Sequence, residues 1–227
     1  MSYFPDLDLL LNAGARYADE HAVYVIEQHP LDDVVLPTGQ VVGCDPLINA
    51  DAALPFTVVV PAGRYPLRAW VAVLYQHGTE WQRRVAALQL AVRDDPVVRW
   101  EPALVAGQDV SALGEDPYFG YPVDAGTGTL ADLVAIRALA TWSYQRTEDV
   151  YIPAQFPETP VSGAIGAVTD EPSGANVVTV GSGWGDGVYP TFAGYAASGD
   201  VATFVTDFMV LPGAQSADRA CVAIRPF

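Results

Sequence analysis

The sequence predicts an all-β fold, a β-sandwich-like pair of mostly antiparallel sheets with a short N-terminal helix and one inserted helix. Short apolar runs with period-two alternation recur along the chain, glycine and proline turns punctuate them, and only two stretches carry a helical period. The 227 residues, 51% hydrophobic with mean hydropathy +0.20, suit a single domain over 1–227 with a substantial core.

The first helix is read from Asp6 to Gly14: Asp6 can cap it, Leu7, Leu10 and Leu11 share one face, and Gly14 can end it. The period then changes to two. Ala22 to Gln28 is a strand, and Val34-Val35-Leu36 and Gln40 to Cys44 flank Pro37-Thr38-Gly39 as the arms of a hairpin. Phe56 to Pro61 is a Thr/Val strand, Pro66 to Gln76 a longer one, and Arg84 to Arg93 its return arm. Val97 to Trp100 adds a short strand.

The inserted helix is placed at Thr129 to Ala140, where Thr129 and Asp132 have capping-box spacing and Leu130, Leu133 and Val134 form the buried stripe. Residues 149–175, rich in proline, glycine and acid without a period, read as a long loop or flap. Asn176 to Val180 resumes the strands. Val188 to Tyr195 and Asp200 to Phe208 follow as a hairpin, and Arg219 to Arg225 as a final strand.

Charge narrows the partners. With 27 acids, 11 arginines, no lysine and a net charge of −16, the surface repels phosphate backbones and anionic headgroups. Nucleic acid and membrane are disfavoured, while a cation or a basic protein is favoured. No leader pattern opens the chain and no window approaches the roughly 18 apolar residues of a membrane span, which implies a soluble, cytoplasmic protein. Cys44 and Cys221 lie in apolar runs without metal-pair spacing, so they read as buried thiols, with a bridge between them the alternative.

The densest chemistry lies in Ser182 to Tyr195, where glycines at 183, 185 and 187 free the backbone and Trp184 and Tyr189 supply flat walls with polar tips. Asp186 is the one charge there. If Tyr195 pairs with Asp200, Val188 falls opposite Asp207, which brings Asp207 beside Asp186. Two such carboxylates repel, so one should hold a raised pKa unless a metal or an arginine intervenes. His21, His29 and His77 lack ligand spacing, Ser182 lacks a nucleophile elbow, and no phosphate-binding loop is present.

The blocks Leu36 to Pro46, Val123 to Gly128, Ser182 to Thr191 and Val205 to Phe208 resemble the signature of a largely bacterial, uncharacterised family catalogued as domain of unknown function 4241. The resemblance implies membership and supplies no activity. It also implies a place for Asp124 beside Asp186 and Asp207, as a third acid. In the family pattern Gly194 is commonly followed by an aromatic or polar residue and then an acid; here Tyr195 and Ala196 follow, so no role carries over at that position.

Three functions fit these residues. The first is binding of a cation or a small polar ligand such as a sugar by Trp184, Asp186, Tyr189 and Asp207, with Asp124, Asp186 and Asp207 as metal ligands for a divalent ion. The second is hydrolysis by Asp186 and Asp207, with Asp124 a further catalytic candidate, with or without a metal. The third is an acidic immunity or interaction protein that captures a basic partner.

Overall fold

Alternation along the strands sorts the side chains into layers. The computed structural model describes residues 3–113 and 118–211, which form fifteen strands and three α-helices. The larger sheet runs β1 (Arg16–Ala18), β2 (Val23–Pro30), β6 (Leu67–Gln76), β7 (Thr79–Ala91), β15 (Val201–Asp207), β14 (Thr191–Tyr195) and β8 (Arg99–Pro102), antiparallel throughout. The smaller runs β11 (Ile165–Asp170), β12 (Ala175–Gly181), β10 (Thr127–Asp132) and β4 (Val41–Cys44). Two ribbons pair β13 (Gly187–Tyr189) with β9 (Tyr121–Val123), and β3 (Val34–Leu36) with β5 (Gly63–Tyr65). The helices are α1 (Leu7–Leu10), α2 (Leu133–Leu139) and α3 (Tyr144–Tyr151).

Strands β4, β10 and β12 of the smaller sheet are buried on both faces, while its edge strand β11 is partly exposed. Val41, Leu130, Val178 and Val180 enter a main core with Leu67, Leu88, Leu90 and Phe204 of the larger sheet. Their neighbours Val42, Ala131 and Val177 point the other way, into a second core closed by Leu133, Ile136 and Leu139 of α2 and Tyr151 of α3. The layers are therefore sheet, sheet and helices, and burial on both faces explains why β4 reads as an unbroken apolar run. At the centre, β6 and β7 close through His77 and Gly78, whose φ values of 51° and 80° give the turn twist that a two-residue hairpin requires. The all-β expectation holds. No helix among the described residues is long and apolar enough to cross a membrane.

Local detail departs from the sequence reading in several places. The Asp6 carboxylate does cap α1, accepting from Leu9 N at 3.0 Å, but the helix ends at Leu11, and Gly14 instead donates to Ile26 O across to β2. The expected hairpin of Val34–Leu36 with Gln40–Cys44 does not form, since β3 pairs with β5 and β4 with β10. Asp132 pulls the intervening turn away: its Oδ2 accepts from Thr38 N at 3.0 Å and from Gly39 N at 3.1 Å. Gly39 there has φ +69°, and a Cβ would collide with the Val60 carbonyl oxygen.

Phe56 to Pro61 is no strand. Its amides go to different elements, Phe56 N to Val41 O, Thr57 N to Leu104 O and Val60 N to Gly39 O. The short strand expected at Val97 to Trp100 forms two residues later as β8. The inserted helix starts at Leu133, because 127–132 are captured as strand β10 by β4 and β12. Asp132, not Thr129, is its cap and accepts from Val134 N, while Thr129 Oγ1 donates to Val178 O. Residues 149–175 hold the end of α3 and strand β11, which leaves 152–164 as the connection without helix or strand. Cys44 is buried. Cys221, the Cys44–Cys221 bridge and the strand Arg219 to Arg225 lie outside the described residues.

Candidate functional site

The glycine-rich turn is a braced structure. Gly185 N donates to Ser182 O at 2.8 Å, and Ser182 Oγ donates to Gly185 O at 2.8 Å. The Tyr189 hydroxyl donates to Gly185 O at 2.7 Å and also lies 3.2 Å from Ser182 O. Gly183 has φ +54°, and a Cβ would stand 2.6 Å from Phe208 O, so this position admits only glycine without a shift of backbone. Ser182 N donates to Gly126 O at 3.0 Å, which ties the turn to the 124–127 loop.

That loop is held from a residue the sequence reading passed over. Asp45 is fully buried and its carboxylate accepts from Asp124 N at 3.0 Å, Ala125 N at 2.7 Å, Thr127 Oγ1 at 2.9 Å and Leu47 N at 3.1 Å. A buried carboxylate is tolerable when donors saturate its lone pairs. The sequence blocks around Cys44, Gly126, Ser182 and Phe208 therefore converge in space, through Asp45, the Gly126 carbonyl and the packing of Phe208 under Gly183. A Cβ on Gly128 would likewise meet Phe208 Cζ and Tyr121 Oη at 2.8 Å.

Against the turn and loop lies a cleft of about 550 Å³, its opposite wall formed by residues of 151–163. Gly181 N donates to Ser162 O at 2.7 Å and fixes the two walls together. Trp184, Phe156 and Ile152 line the cleft half-exposed, and Arg84 of β7 stands with its Cζ 5.0 Å from the centroid of the Trp184 ring. Tyr189 lies elsewhere. Its ring is buried edge-on against Phe208 and lines a smaller cavity of about 200 Å³, so it shapes the turn from behind. Burial raises its hydroxyl's pKa.

The three acids occupy two kinds of place. Asp124 and Asp186 are exposed and flank the Val123–Gly187 pair that ends the β9–β13 ladder. Asp207 is buried, its Oδ2 2.6 Å from the Tyr3 hydroxyl and its Oδ1 accepting from Met209 N at 2.8 Å. Burial pushes the Asp207 pKa up to about 6, against the opposing pull of those two hydrogen bonds. The same burial, with the Asp207 charge, raises Tyr3.

The expected pairing of Val188 with Asp207 is absent. Residues 187–195 split at Pro190 between two sheets: β13 pairs with β9, and β14 with β15, with a bulge between Gly194 and Tyr195. Asp207 N reaches Pro190 O instead. Among the described residues the hydrogen bonds of the Asp207 carboxylate go to Tyr3 and Met209, and no group of three or more His, Cys, Asp or Glu side chains could hold a metal ion.

Arg84, Ser162 and Phe156 were not singled out by sequence. Arg84 sits in an ordinary strand pattern, and its position at the cleft follows from the order of strands. Ser162 and Phe156 lie within 149–175, where a connection of unusual length was the available signal.

Fold and cleft together define a β-rich protein in which a glycine-rich turn, tied to a loop braced by a buried aspartate, faces an apolar connection. The chain belongs to the family described as Protein of unknown function (DUF4241), whose model matches residues 34–206, most of its length. No curated protein and no solved structure matches it.

Proposed function

We propose that the protein binds a small polar ligand in the cleft between the Ser182–Gly185 turn and the 151–163 connection. The wall of the cleft carries this reading. Gly126, Gly163, Gly181, Gly183 and Gly185 line it with bare backbone, and Trp184 stands 49% exposed beside them. Backbone without side chains lets a ligand approach carbonyls and amides closely, and an exposed indole offers a stacking face. A cation site or an Asp-pair hydrolase would draw on Asp124, Asp186 and Asp207, none of which lines this cleft. The reading therefore rests on the glycine backbone and Trp184.

Amide shift mapping on isotope-labelled protein, against a set of monosaccharides, nucleosides and small aromatic compounds, tests it. At least one compound is expected to move the amides of Gly126, Ser162, Gly183 and Gly185 and the Trp184 indole. The substitution Ser162→Trp, made at an exposed position on the rim, should block that response while the spectrum stays dispersed. Shifts confined to other surfaces, or unchanged by Ser162→Trp, would remove the proposal.

A further inference from the structure

We infer that the ligand of this cleft is an oxyanion, a carboxylate or phosphate group carried on a planar apolar body; the inference rests on the cleft being a binding site. The chain has 27 acids against 11 arginines, so carboxylates dominate its charged side chains. Among the described residues this cleft has none in its lining, and Arg84 is the single charged residue there.

The Arg84 guanidinium is placed to receive an anion. It is half-buried on β7 and lies over the Trp184 ring, and its Nε and Nη2 donate to Gln82 Oε1 at 3.1 Å and 2.7 Å. Nη1 has no hydrogen bond or ion pair among the described residues. Arg83, Arg93 and Arg99, by contrast, each pair with a carboxylate. With Nε and one Nη2 hydrogen held by Gln82, the edge left to a ligand is the one formed by Nη1 and the second Nη2 hydrogen, and it matches the spacing of two oxygens on a carboxylate or phosphate. Partial burial strengthens such a pair relative to one at the open surface.

The rest of the cleft describes the remainder of the ligand. Trp184, Phe156 and Ile152 are 49%, 50% and 48% exposed, an apolar surface next to the cation. A flat hydrocarbon or heteroaromatic body can cover it while its anionic group reaches Arg84.

Four probes of one shape separate the possibilities: benzoate, phenyl phosphate, neutral benzamide and cationic benzamidine, each titrated by amide shift mapping at matched ionic strength. Benzoate or phenyl phosphate is expected to move the Gly126 and Gly183 amides and the Trp184 indole, with the other two weaker by about tenfold or more. Whichever anion binds tighter distinguishes a carboxylate from a phosphate ligand. Arg84→Gln should cost the anions about tenfold and Arg84→Lys less, because the charge survives without the fork. The folded state of both variants is checked in the same spectra. Trp184→Phe keeps a ring and is expected to retain most of the affinity. If benzamide or benzamidine binds the cleft as well as benzoate, or Arg84→Gln leaves benzoate unaffected, the anion assignment is overturned while the cleft stands as a binding site. If no probe moves the cleft amides, the anion assignment is overturned, and the binding-site reading falls with it only when the monosaccharides and nucleosides also leave those amides unmoved.

Discussion

Asp45 and Asp207 are both withdrawn from water, yet they are accommodated in opposite ways. Asp45 accepts from four donors, three of them backbone amides, within and beside segments that lie inside the family match at 34–206. Asp207 accepts from two, and one of these is the Tyr3 hydroxyl, from the N-terminal segment outside that match. The comparison teaches that burial by itself says little about a carboxylate. What matters is how many donors reach it and which part of the chain supplies them. Around Asp45 three of the four donors, from Leu47, Ala125 and Thr127, belong to residues that line the cleft, so the acid is a brace for the candidate site. Around Asp207 they are few, and the energy of burial stays in the carboxylate as a raised pKa.

The largest effect that would break this contrast is expected from Asp45→Ala. It strands three part-buried amides and a hydroxyl, and should cost about 3–5 kcal/mol in urea unfolding, with loss of the ordered amide signals of 124–127. A cost below about 1 kcal/mol would mean that Asp45 is no brace.

A smaller effect, one that sharpens the contrast, comes from pH. Near pH 7 Asp207 is ionised folded and unfolded, and the cost of burying its charge is fully felt. As pH falls from about 6 toward 3.8 the folded chain holds a proton that the unfolded chain has released, so stability rises; below that both forms are protonated and the gain levels off. At about 1.4 kcal/mol per pH unit the rise corresponds to roughly 3 kcal/mol. Unfolding free energies of the wild type minus those of Asp207→Asn should therefore climb as pH is lowered through this window, and a flat difference would contradict the raised pKa. Smallest of the three, Tyr3→Phe removes one of the two donors. It should destabilise by about 1–2 kcal/mol near neutral pH and move the Asp207 midpoint further upward, both readable in the same pH series.

The sequence reading succeeded where local patterns and tertiary structure agreed. Asp6 caps α1 as its position suggested, and the expected hairpin of 66–76 with 84–93 forms, although its return arm starts earlier, at Thr79, so that the turn tightens to His77-Gly78. It failed where a distant partner outbid the local pattern. Thr129-Leu130-Ala131-Asp132 looks like a helix start, but β4 and β12 claim it as a strand, and only Asp132 keeps the capping role. Helix α3 escaped notice because Tyr-Gln-Arg-Thr-Glu-Asp-Val-Tyr is polar apart from its ends, with Tyr151 the one side chain it buries. For the site, the glycine turn and Trp184 were legible, since no ordinary strand has such a composition. For the acids, the expected register of Val188 with Asp207 depended on an unbroken hairpin; at Pro190 the segment passes from the β9 ribbon to the larger sheet, and the bulge after Gly194 shifts the pairing that remains. Asp45, one residue past Cys44 in a segment that reads as a strand end, gave no sign that it would gather the 124–127 loop.

The Tyr3–Asp207 hydrogen bond also spans 204 positions of sequence, and that has a meaning for how the protein is made. A ribosome delivers Tyr3 long before its acceptor, which follows only once β15 has been synthesised. Until then the N-terminal segment, with Leu7 and Leu10, waits without its final surroundings while the β6–β7 hairpin, a local structure, can already form. The earlier partner of this bond is thus seated only when the later one arrives. A chain that stops short of residue 207 leaves the Tyr3 hydroxyl without this acceptor, so the seating of the segment that carries Leu7 and Leu10 is tied to completion of the larger sheet.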